Sequence, residues 1–281
     1  MLLKRNVPLG YFTERIISLI VMKQNYKITL SYDGSRYYGW EHQPNTELTI
    51  QGKLEQVLTR MIYGEDYSVK DFASFPITVI GAGRTDAGVH ARAMTANVIL
   101  DSEKDLTETG IKAYMNRYLP DDISINEVKP CGERFHSRFK ATGKTYRYTC
   151  WFDEQKPVFE RKYVTVLDSR PDIEAMRKAA EYLLGEHDFK CFCGNSHFKK
   201  STVRVIDHIE ITENGPYIRL YFHGTGFLQN QVRIMTGTLL EIGFGKRTPD
   251  SMADILNSKD RQKAGYTAEA KGLCLMKVDY D

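Results

Sequence analysis

Ile77-Thr78-Val79-Ile80-Gly81-Ala82-Gly83-Arg84-Thr85-Asp86-Ala87-Gly88-Val89-His90-Ala91 runs from an apolar segment into a glycine-rich turn with one central carboxylate. The first four residues are all β-branched and read as a buried strand. Glycines after a strand let the backbone turn sharply or approach another group closely. A strand entering glycines also opens doubly wound nucleotide-binding folds, but that reading fails here. The dinucleotide fingerprint needs a third glycine where Asp86 stands, and no Gly-Lys-Ser/Thr follows to make a phosphate loop. An aspartate at that position repels a phosphate. Two readings of Thr85-Asp86 stay open: a turn or helix cap, or a reactive carboxylate held beside Arg84.

The periodicities outward from this stretch decide the fold class. Tyr26, Ile28, Leu30 and Tyr32 alternate with polar residues and predict a half-buried strand. Leu54, Val57, Leu58 and Met61 are spaced for a helix with one apolar face. After Ile77–Ile80 come a strand near Thr95–Leu100, a helix through Ile111, Tyr114, Met115 and Tyr118 ended by Pro120, and a strand over Ile123–Val128. This is the β-α-β-β-α-β order of a ferredoxin-like unit. The second half repeats it with additions. Strands fit Lys144–Trp151, Val203–Ile211, Tyr217–Phe222 and Leu273–Val278, and helices fit Ile173–Leu184 and Leu228–Ile242. A further helix runs through Met252, Ile255 and Leu256, capped by Thr248-Pro249-Asp250. The expected class is α+β: two ferredoxin-like halves whose antiparallel sheets join into one extended sheet, with a cleft between them. The boundary falls near Pro130, giving an N-terminal half over 22–130 and a C-terminal half over 131–281.

The chain has 281 residues, 42% of them hydrophobic, and no apolar window long enough to span a membrane. Its net charge of +3 permits nucleic-acid binding without demanding it. The five cysteines are odd in number and irregular in spacing; Cys191-x-Cys193 has no matching pair, which argues against a zinc site. Few cysteines in a chain of this size fit a reducing cytoplasm. Residues 1–21 lack both an uninterrupted apolar core and a cleavage site, so they read as a disordered extension rather than a signal peptide. Met22, just before the first strand, is a candidate start.

Positive charge concentrates in two windows. Arg134-Phe135-His136-Ser137-Arg138-Phe139-Lys140, continuing through Lys144-Thr145-Tyr146-Arg147-Tyr148, contains no acid. Cations neutralise phosphates and aromatic rings stack on unpaired bases; a solvated strand edge with core tyrosines is the plainer reading. On a strand, Lys144, Tyr146 and Tyr148 share one face and Arg147 takes the other. The second window, Phe189 to Ile206, carries Lys190, Lys199, Lys200 and Arg204, with a loop over Gly194–Ser201. Elsewhere, Arg233 lies one step off the apolar stripe of its helix and needs a carboxylate partner at the core margin. A partly buried carboxylate favours its protonated form unless a cation faces it, and arginine is a cation at every working pH. The sequence leaves open which carboxylate Arg233 meets, and whether the pair is a structural bridge or part of a site.

The string Gly81–Ala91 resembles the aspartate motif of the TruA family of tRNA pseudouridine synthases. The likeness extends over most of residues 25–279 through Tyr32-Asp33-Gly34, Tyr37-Tyr38-Gly39-Trp40, Gln51, Phe135-His136-Ser137-Arg138, Tyr146-Arg147-Tyr148, Gly185-Glu186-His187-Asp188-Phe189 and Gly272-Leu273. The resemblance implies isomerisation of uridine to pseudouridine at positions 38 to 40 of the anticodon stem-loop of tRNA by a homodimer. It implies no cofactor and no metal. It makes Asp86 the catalytic carboxylate and Arg233 its partner. Tyr146 and Leu273 pack on the base, Tyr146 is also expected to act in catalysis through its hydroxyl, and Arg84 fills the space that the base leaves. His90, Arg138, Lys144 and Arg147 are carried as substrate contacts. The sequence departs from the family pattern at Met94, where glutamine is usual, at Gln231, where methionine is frequent, and in an insert over about Gly64–Phe75.

Two other classes compete. A glycoside hydrolase needs a second carboxylate at a set separation, and no partner acid stands near Asp86 in the motif. A non-catalytic RNA-binding protein of ferredoxin-like fold would have no use for Asp86, and the chain lacks the signature string of an RNA-recognition motif. A paralogue with the same chemistry on another RNA also fits.

Overall fold

The computed structural model describes residues 22–67, 74–102 and 106–281. The extension over 1–21 and residues 68–73 of the insert lie outside the described residues.

In the first half, β1 (Met22–Tyr32) buries Tyr26, Ile28, Leu30 and Tyr32 on one face. Helix α1 (Ile50–Tyr63) begins at Thr49, whose hydroxyl accepts the Gly52 N–H, and buries Leu54, Val57 and Leu58. Strand β2 (Val79–Gly81) is shorter than the apolar run suggests, while β3 (His90–Ser102) starts directly at the end of the motif. Helix α2 (Glu108–Tyr118), capped by Thr107, leads to β4 (Ile123–Cys131). The sheet order is β4-β1-β3, with β2 on the remaining edge of β3.

The second half repeats this with β5 (Ala141–Trp151), α3 (Ile173–Glu181), β8 (Val203–Asn214), β9 (Tyr217–Gly224), α4 (Gln231–Gly243) and β10 (Leu273–Tyr280). Two short strands, β6 (Thr165–Val166) and β7 (Gly185–Asp188), are additions that periodicity does not reveal. Helix α5 (Ser251–Ser258) follows Asp250, which makes no side-chain cap bond; its carboxylate accepts the Tyr182 hydroxyl instead. Helix α4 begins later than its apolar stripe suggests. Residues 228–230 form a turn in which the buried Gln231 amide oxygen accepts the Leu228 N–H at 2.7 Å. That contact gives the Gln231 departure a local purpose.

One strand joins the halves. The continuous order is β4-β1-β3-β10-β5-β9-β8-β7. β10 runs antiparallel to β5 along most of its length but touches β3 in parallel only at Cys274–His90 and Leu275–Ala91. β2 pairs with β3 further along the same edge, at Ala96–Val98. Register places Leu30, Ala91, Leu275, Tyr146 and Phe222 on one face. Helix α1 packs with α2, and α3 with α4 and α5. Buried residues of both halves form a single apolar cluster. Among the described residues no helix is long and apolar enough to cross a membrane, and all five cysteines are free thiols.

Candidate active site

The loop between β2 and β3 presents Asp86 at the first position of a tight turn. The Val89 N–H donates to the Asp86 carbonyl at 3.1 Å, and Gly88, at the third position, has φ +77°. That conformation favours glycine. Residues 32–40 clamp the loop. The Tyr32 hydroxyl and Thr85 Oγ1 are 2.9 Å apart, and the Trp40 N–H donates to the Thr85 carbonyl at 3.0 Å. At Gly39, φ is +102°, and a Cβ there would lie 2.7 Å from the Thr85 carbonyl oxygen. Gly34 is tighter still, since a Cβ would lie 2.0 Å from the Val89 carbonyl oxygen. The clamp explains why Tyr32-Asp33-Gly34 and Gly39-Trp40 accompany the aspartate motif in sequence. Behind it, Gln51 and the buried Glu55, one turn apart on α1, take both backbone groups of Val79. The Val79 N–H donates to Glu55 at 2.9 Å and its carbonyl accepts from Gln51 at 3.1 Å. Burial raises the Glu55 pKa against the hydrogen bonds it accepts from the Val79 N–H and the Gln51 amide and against His42.

Arg233 reaches this loop from the other half. Its Nη1 lies 3.3 Å from Asp86 Oδ2, with the side chains 16% and 31% exposed. Two further contacts fix the guanidinium: Nε donates to the Ala268 carbonyl at 2.7 Å, and Nη1 to Asn230 Oδ1 at 2.9 Å. The Ala268 N–H returns a bond to the Arg233 carbonyl at 3.1 Å. Asn230 sits just before α4 with φ +59°, a region that asparagine tolerates better than most residues. These contacts aim the guanidinium at the carboxylate.

Tyr146 stands on β5 beside the pair. It is buried, and its ring meets Phe227 edge to face at 5.3 Å. Burial first, and then the Asp86 charge, push its hydroxyl pKa up, so it is a neutral phenol facing the carboxylate. Leu273 and Leu275 share its face, but register sets Leu275 opposite Tyr146 and Leu273 opposite Tyr148. The Tyr148 hydroxyl turns away to the Glu269 carbonyl at 2.9 Å.

The remaining sequence candidates divide between locations. Lys144 shares the Tyr146 face, and its Nζ donates to the Ala82 carbonyl at 2.9 Å. Burial, then Arg138 and Arg204, lower its pKa to about 8. Arg138 is exposed at the same end of the loop. Arg84 is exposed too, resting on Glu41 at 2.8 Å. Arg147 and His90 lie on the opposite face of the sheet, because strand alternation turns them away from Tyr146 and Ala91. They line a cavity of about 330 Å³ there with Asp33, Tyr163 and Cys274. His90 Nδ1 accepts the Gly34 N–H at 3.0 Å, and Nε2 faces the carbonyls of Lys162 and Lys271 at 3.1 and 3.2 Å. Burial lowers its pKa, which suits a neutral ring that ties the clamp to the second half. The structure therefore gives His90 and Arg147 no access to the Asp86 side. Lys199 and Lys200 are exposed in their loop.

Periodicity reads Tyr32 only as a core residue of its strand, and Gly34, Gly39, Asn230 and Phe227 are site residues that charge and periodicity do not single out. Only the recurrence of the first three in the family's secondary motifs pointed to them. Among the described residues no group of three His, Cys, Asp or Glu side chains is placed to hold a metal ion.

Comparison with known proteins gives a consistent picture. A family profile described as tRNA pseudouridine synthase matches residues 28–140 and 179–281. The chain is 43% identical over 256 residues to a tRNA pseudouridine synthase A of Bacillus sp. (strain KSM-64), covering 91% of this chain and 99% of the relative. It is 40% identical to a tRNA pseudouridine synthase A 2 of Clostridium perfringens (strain 13 / Type A), covering 92% of this chain and 100% of the relative.

Proposed function

Since the chain belongs to the tRNA pseudouridine synthase family, we propose that it isomerises uridine in tRNA with Asp86 as the reacting carboxylate. The N1–C1′ bond breaks, the uracil turns, C5 bonds to C1′, and the C5 proton is lost while N1 gains one. Atoms and electrons balance without an oxidant or an energy source. A carboxylate serves this reaction as nucleophile at the sugar or as the base that forms a glycal; both routes use Asp86.

The observation that carries the reading is the ion pair between Asp86 and Arg233. It joins a tight turn in one half to a helix start in the other. Arg233 orients the carboxylate through its 3.3 Å contact. Tyr146, with Leu273 and Leu275 as an apolar wall, packs the base, and Arg84 leaves Glu41 to fill the vacated stack. Unstacking the target costs roughly a few kcal/mol, offset by those contacts. Arg138, Lys144, Lys199 and Lys200 meet phosphates. We assign His90 to support of the loop and leave Arg147 out of the cleft. The target is the anticodon stem-loop at positions 38 to 40, and the working form is a cytoplasmic homodimer.

The test is Asp86→Asn. C5–H is lost in the reaction, so tritium release from RNA labelled at uridine C5 reports turnover. The variant is expected to release none while binding tRNA within a few-fold of the unaltered protein. Retained turnover would remove Asp86 from the mechanism.

A further inference from the structure

Three cations from three separated segments stand towards the Asp86 loop, Lys144 bonded to it and Arg138 and Arg204 near enough for their charges to act on Lys144. Lys144 on β5 rests against the loop itself. Its Nζ bonds the Ala82 carbonyl, and a Cβ on Gly83 would lie only 3.2 Å from it. Arg204 enters from β8. Gly224 of β9 pairs with both Lys144 and Ile206, and Ile206 lies two residues beyond Arg204 on the same face. Gly224, which has no side chain, stands between Lys144 and Ile206, two residues along β8 from Arg204. Arg204 Nη1 bonds only backbone carbonyls of its own segment, Ser201 at 2.9 Å and Val203 at 2.6 Å. Arg138 comes from the turn before β5. Its neighbour Ser137 is fully buried and tied to the strand that leads into the loop, its hydroxyl bonding the Ile80 carbonyl and its N–H bonding Asn97.

Among the described residues no carboxylate lies within ion-pair distance of any of the three, although most other ion pairs in the molecule are made at the surface. Arg138 makes no side-chain hydrogen bond there, and Lys144 has one acceptor for three donors. Like charges raise one another's free energy, and a buried cation needs an anion. Fold stability gives no reason to gather them, because breaking up the cluster would relieve the repulsion. The arrangement is satisfied by an anion delivered from outside. Tyr146 shares the sheet face with Lys144 two residues away, so the anion would sit next to the base pocket.

We infer that Lys144, Arg138 and Arg204 form a cradle for one backbone phosphodiester of the RNA, flanking the nucleotide that enters the Asp86 pocket. This rests on the proposed reaction for its ligand. A phosphate held there fixes the sugar relative to Asp86. Arg204 thereby gains a positioning role that its place in a surface window does not reveal.

The experiment uses the full chain carrying Asp86→Asn, so that binding is read without turnover. The probe is a synthetic RNA stem-loop containing the target uridine, in three forms: unmodified, and with a neutral methylphosphonate at either phosphate flanking that uridine. Lys144→Met, Arg204→Gln and Arg138→Gln are each expected to weaken binding of unmodified RNA about tenfold and to lower the salt slope by roughly 0.7 to 0.9. On the RNA whose cradled phosphate is neutral, the same variants are expected to lose almost nothing further, because the partner charge is already gone. Arg138 is exposed, so Arg138→Gln tests the cradle even if Lys144→Met folds poorly. Equal losses on all three RNAs, or an unchanged salt slope, overturn the cradle. Tritium release by the unaltered protein on the unmodified RNA is measured in parallel. Turnover without the phosphate coupling defeats the cradle alone, and absence of turnover defeats the proposed reaction while the binding data still decide the cradle.

Discussion

Gly39→Ala puts a methyl group where the Asp86 loop is held. Two costs follow from the structure. At φ +102° an alanine is strained, by about 1 to 3 kcal/mol. Its Cβ would also lie 2.7 Å from the Thr85 carbonyl oxygen and 3.3 Å from the Ala87 nitrogen and the Asp86 carbonyl carbon. Those are backbone atoms with no rotamer to yield, and overpacking of this kind costs about 1 to 3 kcal/mol more. The sum is about 2 to 6 kcal/mol, and relief comes only by pushing residues 85–87 outward. A shift near 1 Å at a reacting group lowers turnover about a hundredfold. Gly245→Ala is the control, since φ there is +70° and nothing lies within 4 Å of the new Cβ; it carries strain without collision. Urea midpoints and tritium-release kcat are measured for both. The expectation is a modest midpoint loss with intact kcat for Gly245→Ala, and a larger loss with kcat down about a hundredfold for Gly39→Ala. If Gly39→Ala keeps kcat within threefold of the unaltered protein, residues 32–40 do not position Asp86.

Arg233→Lys retains the charge but can keep only one of the three acceptors that the guanidinium now reaches. With charge-assisted bonds contributing about 1.5 to 3 kcal/mol each, kcat should fall about a hundredfold with little change in KM, and a variant as fast as the parent would contradict the orienting role. Lys144 offers a pH test. Its pKa drops from 10.5 to about 8 in the folded chain, so the unfolded state binds more protons between those values and folding stability rises with pH across that window, by no more than about 3 kcal/mol. Below about pH 8 the full penalty is present; Lys144→Met should flatten the rise in denaturation curves, and an unchanged profile would assign it elsewhere. Turnover should survive excess EDTA, because the isomerisation is redox-neutral and the cysteine spacing offers no zinc site; a loss restored by added metal would require a different mechanism.

The residues show how far a sequence carries such a reading. Order and face were accessible: strand alternation alone assigns Lys144 and Tyr146 to one side and Arg147 to the other, and helical spacing places Arg233 at a core margin. Register was not. Whether Leu273 or Leu275 stands beside Tyr146 depends on how β10 docks on β5, and the irregularity after Leu275 has no mark in the sequence. Arg204 is another example. It belongs to a surface window by sequence and joins Lys144 only because β8 and β5 flank β9. His90 belongs to the motif in sequence, yet it opens β3 after the turn at Gly88 and strand alternation points it to the other face. Helix starts misled where a side chain reshaped the preceding turn, as Gln231 does. Local pattern determines what a residue can be; tertiary pairing determines which neighbours it meets.

The narrow junction between β3 and β10 has a consequence for the order in which the molecule becomes competent. Synthesis proceeds from the amino end, and N-terminal units fold first. β1 to β4 can assemble early and expose the edge of β3 at His90 and Ala91, where only β10 docks. Arg233, Ala268 and Leu275 all arrive late, with the segment that precedes and forms β10. A nascent chain therefore carries Asp86 on a formed turn long before the groups that surround it exist. The half-made protein holds Asp86 and Arg84 without Arg138, Lys144 or Arg233, and the site is assembled only when the latest strand closes the sheet.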